Sequence, residues 1–246
     1  MPLPDHKTKI ICTIGPASES LEILEKMIRA GMDVARLNFS HGDYERHRRV
    51  IGNVRAAARA AGRRVAILGD LPGPKIRIGK LDREPVELHA GQSFTLTTRE
   101  TTGDGAGAST SLARLPDVVK RGDTLFLNDG IVQLEVQEVS GTEVRCRVAV
   151  GGEIRSRVGL NLPGIDLGIS AFTDEDRRWL RFAAGEGLDA VSQSFVERAS
   201  DIAAVREAAH AMAYHPLVIA KIERARALDG IDDLLEAADG LMIARG

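Results

Sequence analysis

The spacing of apolar residues changes twice along the chain and divides it into three stretches. In residues 1–74, short apolar runs alternate with segments whose apolar residues recur every three to four positions. This alternation is typical of buried strands that are separated by amphipathic helices. It predicts three strands and two helices in this order: Lys9–Ile14, Ser18–Ala30, Val34–Phe39, His47–Ala61 and Val65–Leu68. Strands that alternate with helices indicate parallel pairing with helical crossovers.

Residues 75–160 lack helical spacing. Short runs rich in β-branched residues follow one another instead, and Asn128-Asp129-Gly130 between two of them is typical of a hairpin turn. The glycine-rich segment Gly103–Gly107 precedes no predicted helix, which favours a loop over a dinucleotide-binding motif. This stretch therefore predicts an all-β insert.

Residues 161–246 return to the first pattern. Thr173 and Asp176 form an acceptable capping pair at the start of a helix, and Ser200 is the expected N-cap of the next helix. The predicted elements are the helix Asp174–Glu186, the strand Ala190–Phe195, the helix Ser200–Met212, the strand Leu217–Ile222, the helix Ile231–Ala238 and the strand Gly240–Ala244. A closed β/α barrel has eight strand–helix units, whereas six strands are predicted here. The sequence therefore predicts an α/β fold, a (β/α)8 TIM barrel truncated after about six strands, with an all-β domain inserted after strand three.

Composition and charge exclude several classes of partner. The 246 residues carry a net charge of −2 and only 4% aromatic residues, so neither a broad basic surface nor a stacking platform for nucleic acid is expected. No apolar run approaches the length that spans a bilayer, and residues 1–7 contain no apolar core of a signal peptide. Cys12 and Cys146 are too few for a disulfide framework or a zinc site. We expect a cytoplasmic protein with no nucleic-acid or membrane partner.

Polar residues cluster where predicted strands end. Arg36, Asn38 and Ser40 alternate along the second strand, so their side chains share one face. A guanidinium, an amide and a hydroxyl on one face suit an anionic, oxygen-rich ligand. The third strand ends at Asp70, and two cations, Lys75 and Arg77, follow it. An ordinary surface ion pair is the alternative for Arg36, but its apolar neighbours argue against it.

The fifth strand ends in Lys221-Ile222-Glu223, which places a cation and a carboxylate on one face. Such a pair at the C-terminal end of a barrel strand suits phosphate or enolate chemistry around a divalent metal. The alternative is a plain salt bridge at the end of a strand. Because two other strand ends carry matching chemistry, we favour a functional site.

Seven motifs in this order resemble those of the pyruvate kinase family: Lys9–Ser18, Met32–Gly42, Gly73–Arg77, Asn161–Gly164, Ser194–Val196, Lys221–Glu223 and Met242–Gly246. The resemblance covers essentially the whole chain. It implies that residues 1–74 and 161–246 form an incomplete A-domain barrel. Residues 75–160 would be the B domain, a lid over the barrel mouth.

The resemblance also implies an activity and its residues. The reaction is the glycolytic transfer of the phosphoryl group of phosphoenolpyruvate to ADP, with Mg²⁺ as cofactor. Lys221 would stabilise charge during the transfer, Glu223 would bind Mg²⁺ and Arg36 would bind the transferring group. Gly246 would offer its backbone N–H to the substrate carboxylate. Residues implied to face the nucleotide phosphates are Asn38, Ser40, His41 and Arg77. Those implied to form a monovalent-cation site are Asn38, Ser40 and Asp70.

Several residues depart from the family pattern. A lysine at the position of Lys75 accompanies the absence of a K⁺ requirement in the family, since its ammonium can replace the monovalent cation. We therefore expect little dependence on K⁺. Pro72 and Glu197 replace residues that are usually basic or polar, and Val158 replaces a usual lysine, which puts nucleotide contact from the insert in question.

Family members continue beyond the Arg-Gly that ends this sequence. They supply an aspartate as the second protein ligand of the metal, a substrate-binding threonine, two more barrel units and a C-terminal domain used in assembly into homo-oligomers. We expect the present chain alone to have little or no kinase activity, because that aspartate and barrel closure are absent from it.

Two alternatives stay open at this point: a non-catalytic remnant or interaction module with the same fold, and a metal-dependent barrel lyase or aldolase acting on enolpyruvate. The β insert and Ser40-His41 favour a kinase over a lyase, since a lyase has no nucleotide to cover. The reading frame beyond residue 246 separates the kinase from the remnant: an in-frame continuation with Asp-Leu-Gly would mean that the chain is a fragment, and a stop would favour the remnant.

Overall fold

A computed structural model describes residues 7–244 of the chain. Its contacts divide the protein into two compact units, one formed by the residues up to Pro74 and from Ser170 onward, the other by Lys75–Ile169. The predicted insert began at the same residue but ended at residue 160. The second unit extends further because Leu162 and Leu167 are part of its buried apolar core.

The first part of the first unit alternates strands and helices, as predicted. Its elements are β1 Ile10–Thr13, α1 Leu21–Ala30, β2 Met32–Asn38, α2 Tyr44–Ala61 and β3 Ala66–Leu71. Helix α2 begins three residues earlier than its apolar spacing predicted, because Asp43 is its N-cap and accepts a hydrogen bond from the backbone N of Arg46 at 2.8 Å. Similarly, α1 begins after Ser20 rather than at Ser18, since Ser20 caps it.

The second unit is built mainly of antiparallel strands. Its elements are β4 Val86–Leu88, β5 Ser93–Thr97, β6 Gly107–Ser109, α3 Leu115–Val118, β7 Thr124–Leu127, β8 Val132–Ser140, β9 Glu143–Val150, β10 Gly152–Ile154 and β11 Leu160–Asn161. The hairpin predicted at Asn128-Asp129-Gly130 is confirmed, since β7 and β8 pair antiparallel and the φ angles of Asn128 and Asp129 are +52° and +54°. The single turn α3 departs from the all-β prediction, and Pro116 in its first turn favours it.

The last part of the first unit resumes the alternation. Its elements are α4 Asp174–Glu186, β12 Ala190–Gln193, α5 Ala199–His210, β13 Leu217–Ile222, a 3₁₀ helix at Ala225–Leu228, α6 Ile231–Ala237 and β14 Gly240–Ile243. The capping box of Thr173 and Asp176 is confirmed. The prediction that Ser200 caps α5 is wrong: Ser200 lies inside the helix. The carboxylate of Asp201 accepts the backbone N–H groups of Glu197 and Arg198 instead.

The six strands of the first unit form one parallel sheet in the order β1-β2-β3-β12-β13-β14. One face of this sheet packs against helices. On that face, Leu37 of β2 and Phe39, which directly follows β2, are at most 2% exposed. Phe39 stacks on Trp179 of α4 with ring centroids 4.4 Å apart. On the other face, Arg36 and Asn38 are only partly buried. Polar side chains at the C-terminal strand ends therefore share the face opposite the one that packs against helices.

Within residues 7–244, no helix combines the length and the apolar character that crossing a membrane requires.

Candidate active site

Asp70 is the electrostatic centre of the face that carries the predicted site. It lies at the end of β3, opposite Asn38 of β2 and Ser192 of β12 in the strand register. Its Oδ2 accepts hydrogen bonds from Nε of Arg36 at 3.0 Å and from Nη2 of the same guanidinium. Its Oδ1 accepts from the Ser192 hydroxyl at 2.8 Å and lies 3.3 Å from Nζ of Lys221. One buried carboxylate thus neutralises two cations from different strands.

Lys221 is held by three partners at the end of β13. Its Nζ donates to Oγ of Ser194 at 2.7 Å and lies 3.0 Å from Oε1 of Glu223, in addition to its contact with Asp70. The Ser194 hydroxyl in turn donates to the backbone carbonyl of Leu71 at 2.7 Å. The Lys221 side chain is only 9% exposed, so these contacts fix where its ammonium points.

Glu223 lies beyond the end of β13 and is more accessible than Asp70. Its side chain is 16% exposed, against 3% for Asp70. Its Oε2 accepts the backbone N–H of Phe195 at 2.9 Å, while Oε1 faces Lys221. Because each carboxylate oxygen has two lone pairs, both oxygens retain capacity for a further partner.

Glu223, Lys221, Asp70 and Arg36 form a row of charges, and Arg36 lies at the end opposite Glu223. Besides Asp70, its guanidinium contacts Thr13 of β1, with Nη1 donating to Oγ1 at 2.6 Å. The Arg36 side chain is 23% exposed. It is therefore partly open to a ligand while its orientation is fixed from two strands.

The turn that follows β3 packs closely against the turn that follows β12. Gly73 has a φ of +64°, and a Cβ at this position would lie 2.9 Å from the carbonyl oxygen of Ser194 and 3.0 Å from the Phe195 ring. The backbone N of Gly73 donates to Oδ1 of Asp176 at 2.9 Å. Asp176 is fully buried, and this burial raises its pKa, opposed by hydrogen bonds from Thr173 and Gly73. Only glycine fits this close approach without displacing the neighbouring turn.

The side chains of the site suit Mg²⁺ only in part. Glu223 offers the hard carboxylate oxygens that Mg²⁺ prefers. Mg²⁺ often binds through one or two carboxylates together with water and substrate phosphates. Among residues 7–244, no three His, Cys, Asp or Glu side chains group as a metal site would require. The described residues therefore fit a metal that Glu223 shares with substrate oxygens, and do not form a complete protein cage.

The comparison with known families decides the assignment. The family model for pyruvate kinase, barrel domain, matches residues 5–246. The chain belongs to the pyruvate kinase family. Its six-stranded parallel sheet with helical crossovers is thus part of an α/β barrel-like fold.

Curated members of the pyruvate kinase family match almost the whole chain. Pyruvate kinase of Thermococcus litoralis is 48% identical over 246 residues, all of this chain and 52% of the relative. Pyruvate kinase of Geobacillus stearothermophilus is 44% identical over 244 residues, 98% of this chain and 42% of the relative. That of Thermotoga maritima is 42% identical over 241 residues, 98% of this chain and 52% of the relative. The chain spans about half the length of the curated pyruvate kinases it matches.

The structure brings together the residues predicted at three strand ends. Asp70 links Arg36 to Lys221, and Lys221 contacts Glu223. The salt bridge between Lys221 and Glu223, considered above as a plain alternative, is present but is one link of a longer row. Asn38 lies beside Asp70 in the sheet register.

The structure shows other contacts for the remaining predicted residues, outside the ion pairs that link Arg36, Asp70, Lys221 and Glu223. Oδ1 of Asn38 accepts the backbone N–H of Ser40 at 3.0 Å, and the exposed His41 accepts a hydrogen bond from His47 through its backbone oxygen. Lys75 and Arg77 lie in the second unit, where Nη1 of Arg77 donates to the backbone oxygen of Arg157 at 2.6 Å. Gly246 lies outside the described residues.

Three hydroxyl residues of the site were not predicted: Thr13, Ser192 and Ser194. A signal for two of them exists in the sequence. Ser192 and Ser194 alternate at the end of a predicted strand, the same pattern that singled out Arg36, Asn38 and Ser40. Thr13 carries no comparable signal, because its partner is identified only by the pairing of β1 with β2.

Proposed function

We propose that this chain carries the phosphoryl-transfer site of a pyruvate kinase that acts on phosphoenolpyruvate and ADP. In this reaction the bond between phosphorus and the enol oxygen breaks, and a bond forms from a β-phosphate oxygen of ADP to the same phosphorus. The enolate that remains takes up a proton and becomes pyruvate. Family membership supports the reaction class, and the row of charges around Asp70 supports the site.

The single observation that carries the proposal is the fixed, nearly buried ammonium of Lys221 beside the more accessible Glu223. Phosphoryl transfer needs positioning and neutralisation of charge more than covalent help from the protein. An ammonium that is already oriented by Ser194 and Asp70 stabilises developing negative charge without reorganisation. Lys221 is therefore proposed as the catalytic cation.

The remaining roles follow from position and charge. Arg36, partly exposed and held by Asp70 and Thr13, is proposed to bind the transferring phosphoryl group. Glu223 is proposed to hold Mg²⁺. When bound, this ion supplies positive charge that neutralises phosphate oxygens. Residues proposed to bind the nucleotide phosphates are Asn38, Ser40, His41 and Arg77, and Gly246 is proposed to bind the substrate carboxylate.

We also propose that activity depends little on K⁺. Asn38, Ser40 and Asp70 would form the monovalent-cation site of a K⁺-dependent relative, and Lys75 is proposed to supply the positive charge instead. Comparing rates in Na⁺, K⁺ and tetramethylammonium salts at equal ionic strength tests this. A requirement for K⁺ would contradict it.

The proposed function is tested with the protein expressed from its complete reading frame. ATP formation from phosphoenolpyruvate and ADP is measured with Mg²⁺, beside Lys221→Met and the control Arg206→Met, which removes a cation paired with Asp239 at 2.8 Å in the same unit. We expect turnover in the unsubstituted protein and the control, and a loss of about a hundredfold or more in Lys221→Met. Absence of turnover in the unsubstituted protein overturns the proposal.

A further inference from the structure

The turn after β12 holds a bulky residue in an unfavourable backbone conformation. Phe195 has a φ of +59°, in the left-handed region that residues other than glycine, asparagine and aspartate rarely adopt. Such conformations persist only where the surroundings impose them, and they concentrate at functional sites. Here the conformation directs the Phe195 N–H at Oε2 of Glu223, 2.9 Å away.

An ion pair connects the two segments that meet at this hydrogen bond. Arg224, the residue after Glu223, places its guanidinium 5.3 Å from the centroid of the Phe195 ring. Its Nη1 also donates to Oε1 of Glu197 at 2.6 Å. The two charged side chains are only 22% and 12% exposed, and Arg226 approaches the same carboxylate more distantly, at 4.0 Å. Arg224 thus holds the Phe195 ring and the residue two positions beyond it at once.

We propose that the ion pair of Glu197 and Arg224 is a positioning device for Glu223. The pair holds the Phe195 turn in its strained conformation, and the turn then orients the Glu223 carboxylate through one backbone hydrogen bond. This inference rests on the proposed role of Glu223 as the Mg²⁺ ligand. Neither Glu197 nor Arg224 contacts the metal in this scheme, and both act through Phe195.

Positioning and simple electrostatics predict opposite effects of removing Arg224. A guanidinium beside a metal ligand repels a divalent cation, so deleting its charge alone would tighten metal binding. Loss of positioning would weaken metal binding, because residues that orient a ligand typically contribute about ten- to a hundredfold in metal affinity. The sign of the change therefore separates the two.

The test measures Mn²⁺ affinity of the complete protein, without substrates, by electron paramagnetic resonance titration. We expect the dissociation constant to rise about tenfold in Arg224→Met. Arg224→Lys keeps the charge but loses the planar fork that pairs with a carboxylate, so it also weakens binding, by a smaller factor. The control is Arg206→Met, since Arg206 also forms an ion pair, with Asp239, in the same unit, and their side chains are 30% and 34% exposed. We expect its Mn²⁺ affinity to be unchanged.

The outcomes distinguish this inference from the proposed function. Unchanged or tighter Mn²⁺ binding in Arg224→Met overturns the positioning role and leaves Glu223 as metal ligand. Absence of Mn²⁺ binding in the unsubstituted protein, both without substrates and with phosphoenolpyruvate added, overturns the role of Glu223, and the positioning role with it. If circular dichroism shows that Arg224→Met is unfolded, Arg224→Lys decides: weaker binding supports the inference and unchanged affinity overturns it.

Discussion

The ammonium of Lys221 lies 3.3 Å from Oδ1 of Asp70, and their side chains are only 9% and 3% exposed. Asp70 also binds the guanidinium of Arg36, so one carboxylate on β3 balances a cation from β2 and a cation from β13. A buried cation is tolerated when it is paired and hydrogen-bonded. The arrangement of the site is therefore tied to the stability of the sheet.

Asp70→Asn is expected to destabilise the first unit strongly. The amide keeps the shape of the side chain, but Arg36 and Lys221 lose the negative charge between them. Removing one partner of a buried pair leaves the other charge uncompensated, which costs about 3–5 kcal/mol. Urea denaturation followed by circular dichroism measures the loss in the free energy of unfolding.

The control for Asp70→Asn is Glu138→Gln in the second unit. Glu138 pairs with Arg145 at 2.9 Å, and both side chains are more than half exposed. Exposed pairs contribute about 0–1 kcal/mol, because water screens them. Equal losses in the two variants would contradict the role assigned to Asp70.

Ser194→Ala is expected to impair turnover more than stability. The variant removes the acceptor that orients Lys221 and the donor to the carbonyl of Leu71. The ammonium stays paired with Asp70 and Glu223 but is less well placed toward developing charge. A misplacement of about 1 Å can cost up to a hundredfold in rate. We expect kcat to fall about tenfold or more, with little change in KM. Steady-state kinetics of the complete protein measure both.

Ser109→Ala is the matched control for Ser194→Ala. Ser109 is also buried and donates to a backbone carbonyl, that of Thr101 at 3.0 Å, but it lies in the second unit and contacts no cation. A comparable fall in kcat in both variants would show that the loss comes from destabilisation rather than from the orientation of Lys221.

The same substitution, glycine to alanine, is expected to have opposite effects on stability at two positions of the first unit. Gly69 lies in β3, where a Cβ would approach the Phe39 ring to 2.6 Å and Leu188 to 3.0 Å. Overpacking of this kind costs about 1–3 kcal/mol, so Gly69→Ala destabilises. Gly52 lies inside α2 with open space around its Cα, so Gly52→Ala stabilises by about 0.5–1 kcal/mol. Thermal and urea unfolding of both variants check the pair. The same sign in both would contradict the packing of Phe39 against β3.

Local periodicity predicted the parts of the site that lie within one strand or directly after it. Alternation placed Arg36 and Asn38 on one face, and Lys221 with Glu223 on one face, because side chains two apart in a strand point the same way. Links between strands were not predictable in this way. Thr13 contacts Arg36 across 23 residues and Ser192 contacts Asp70 across 122. Only the register of the folded sheet brings these pairs together.

The substitution at Glu197 illustrates the same limit. The resemblance to the family implies that Glu197 replaces a frequent basic residue, but not what the change accomplishes. Its partner, Arg224, is 27 residues away, in the turn that follows another strand.

The misplaced start of α2, by contrast, has a cause that is local in the sequence. The capping residue Asp43 lies outside the apolar repeat that predicted α2, so the repeat alone starts the helix too late.

His47 is expected to make the free energy of unfolding depend on pH below neutrality. The ring is buried in α2, with its centroid 5.1 Å from that of Phe39 and 5.4 Å from that of Trp179, and Nε2–H donates to the carbonyl of His41 at 2.8 Å. Burial lowers the pKa of His47 below 6.5, opposed by the His41 carbonyl. The unfolded chain therefore binds a proton first as the pH falls. The contribution of neutral His47 is complete above pH 6.5 and is lost as the pH falls through the pKa of the folded state.

The measurement compares the unsubstituted protein with His47→Gln by urea denaturation from pH 7.5 to 5. Glutamine does not titrate, so the difference in unfolding free energy between the two proteins isolates His47 from every carboxylate, Asp176 included. We expect this difference to move against the unsubstituted protein as the pH falls, at up to about 1.4 kcal/mol per pH unit inside the window. A difference that stays constant over this range would mean that His47 is equally easy to protonate in both states. That outcome would contradict its burial against the two stacked rings of Phe39 and Trp179.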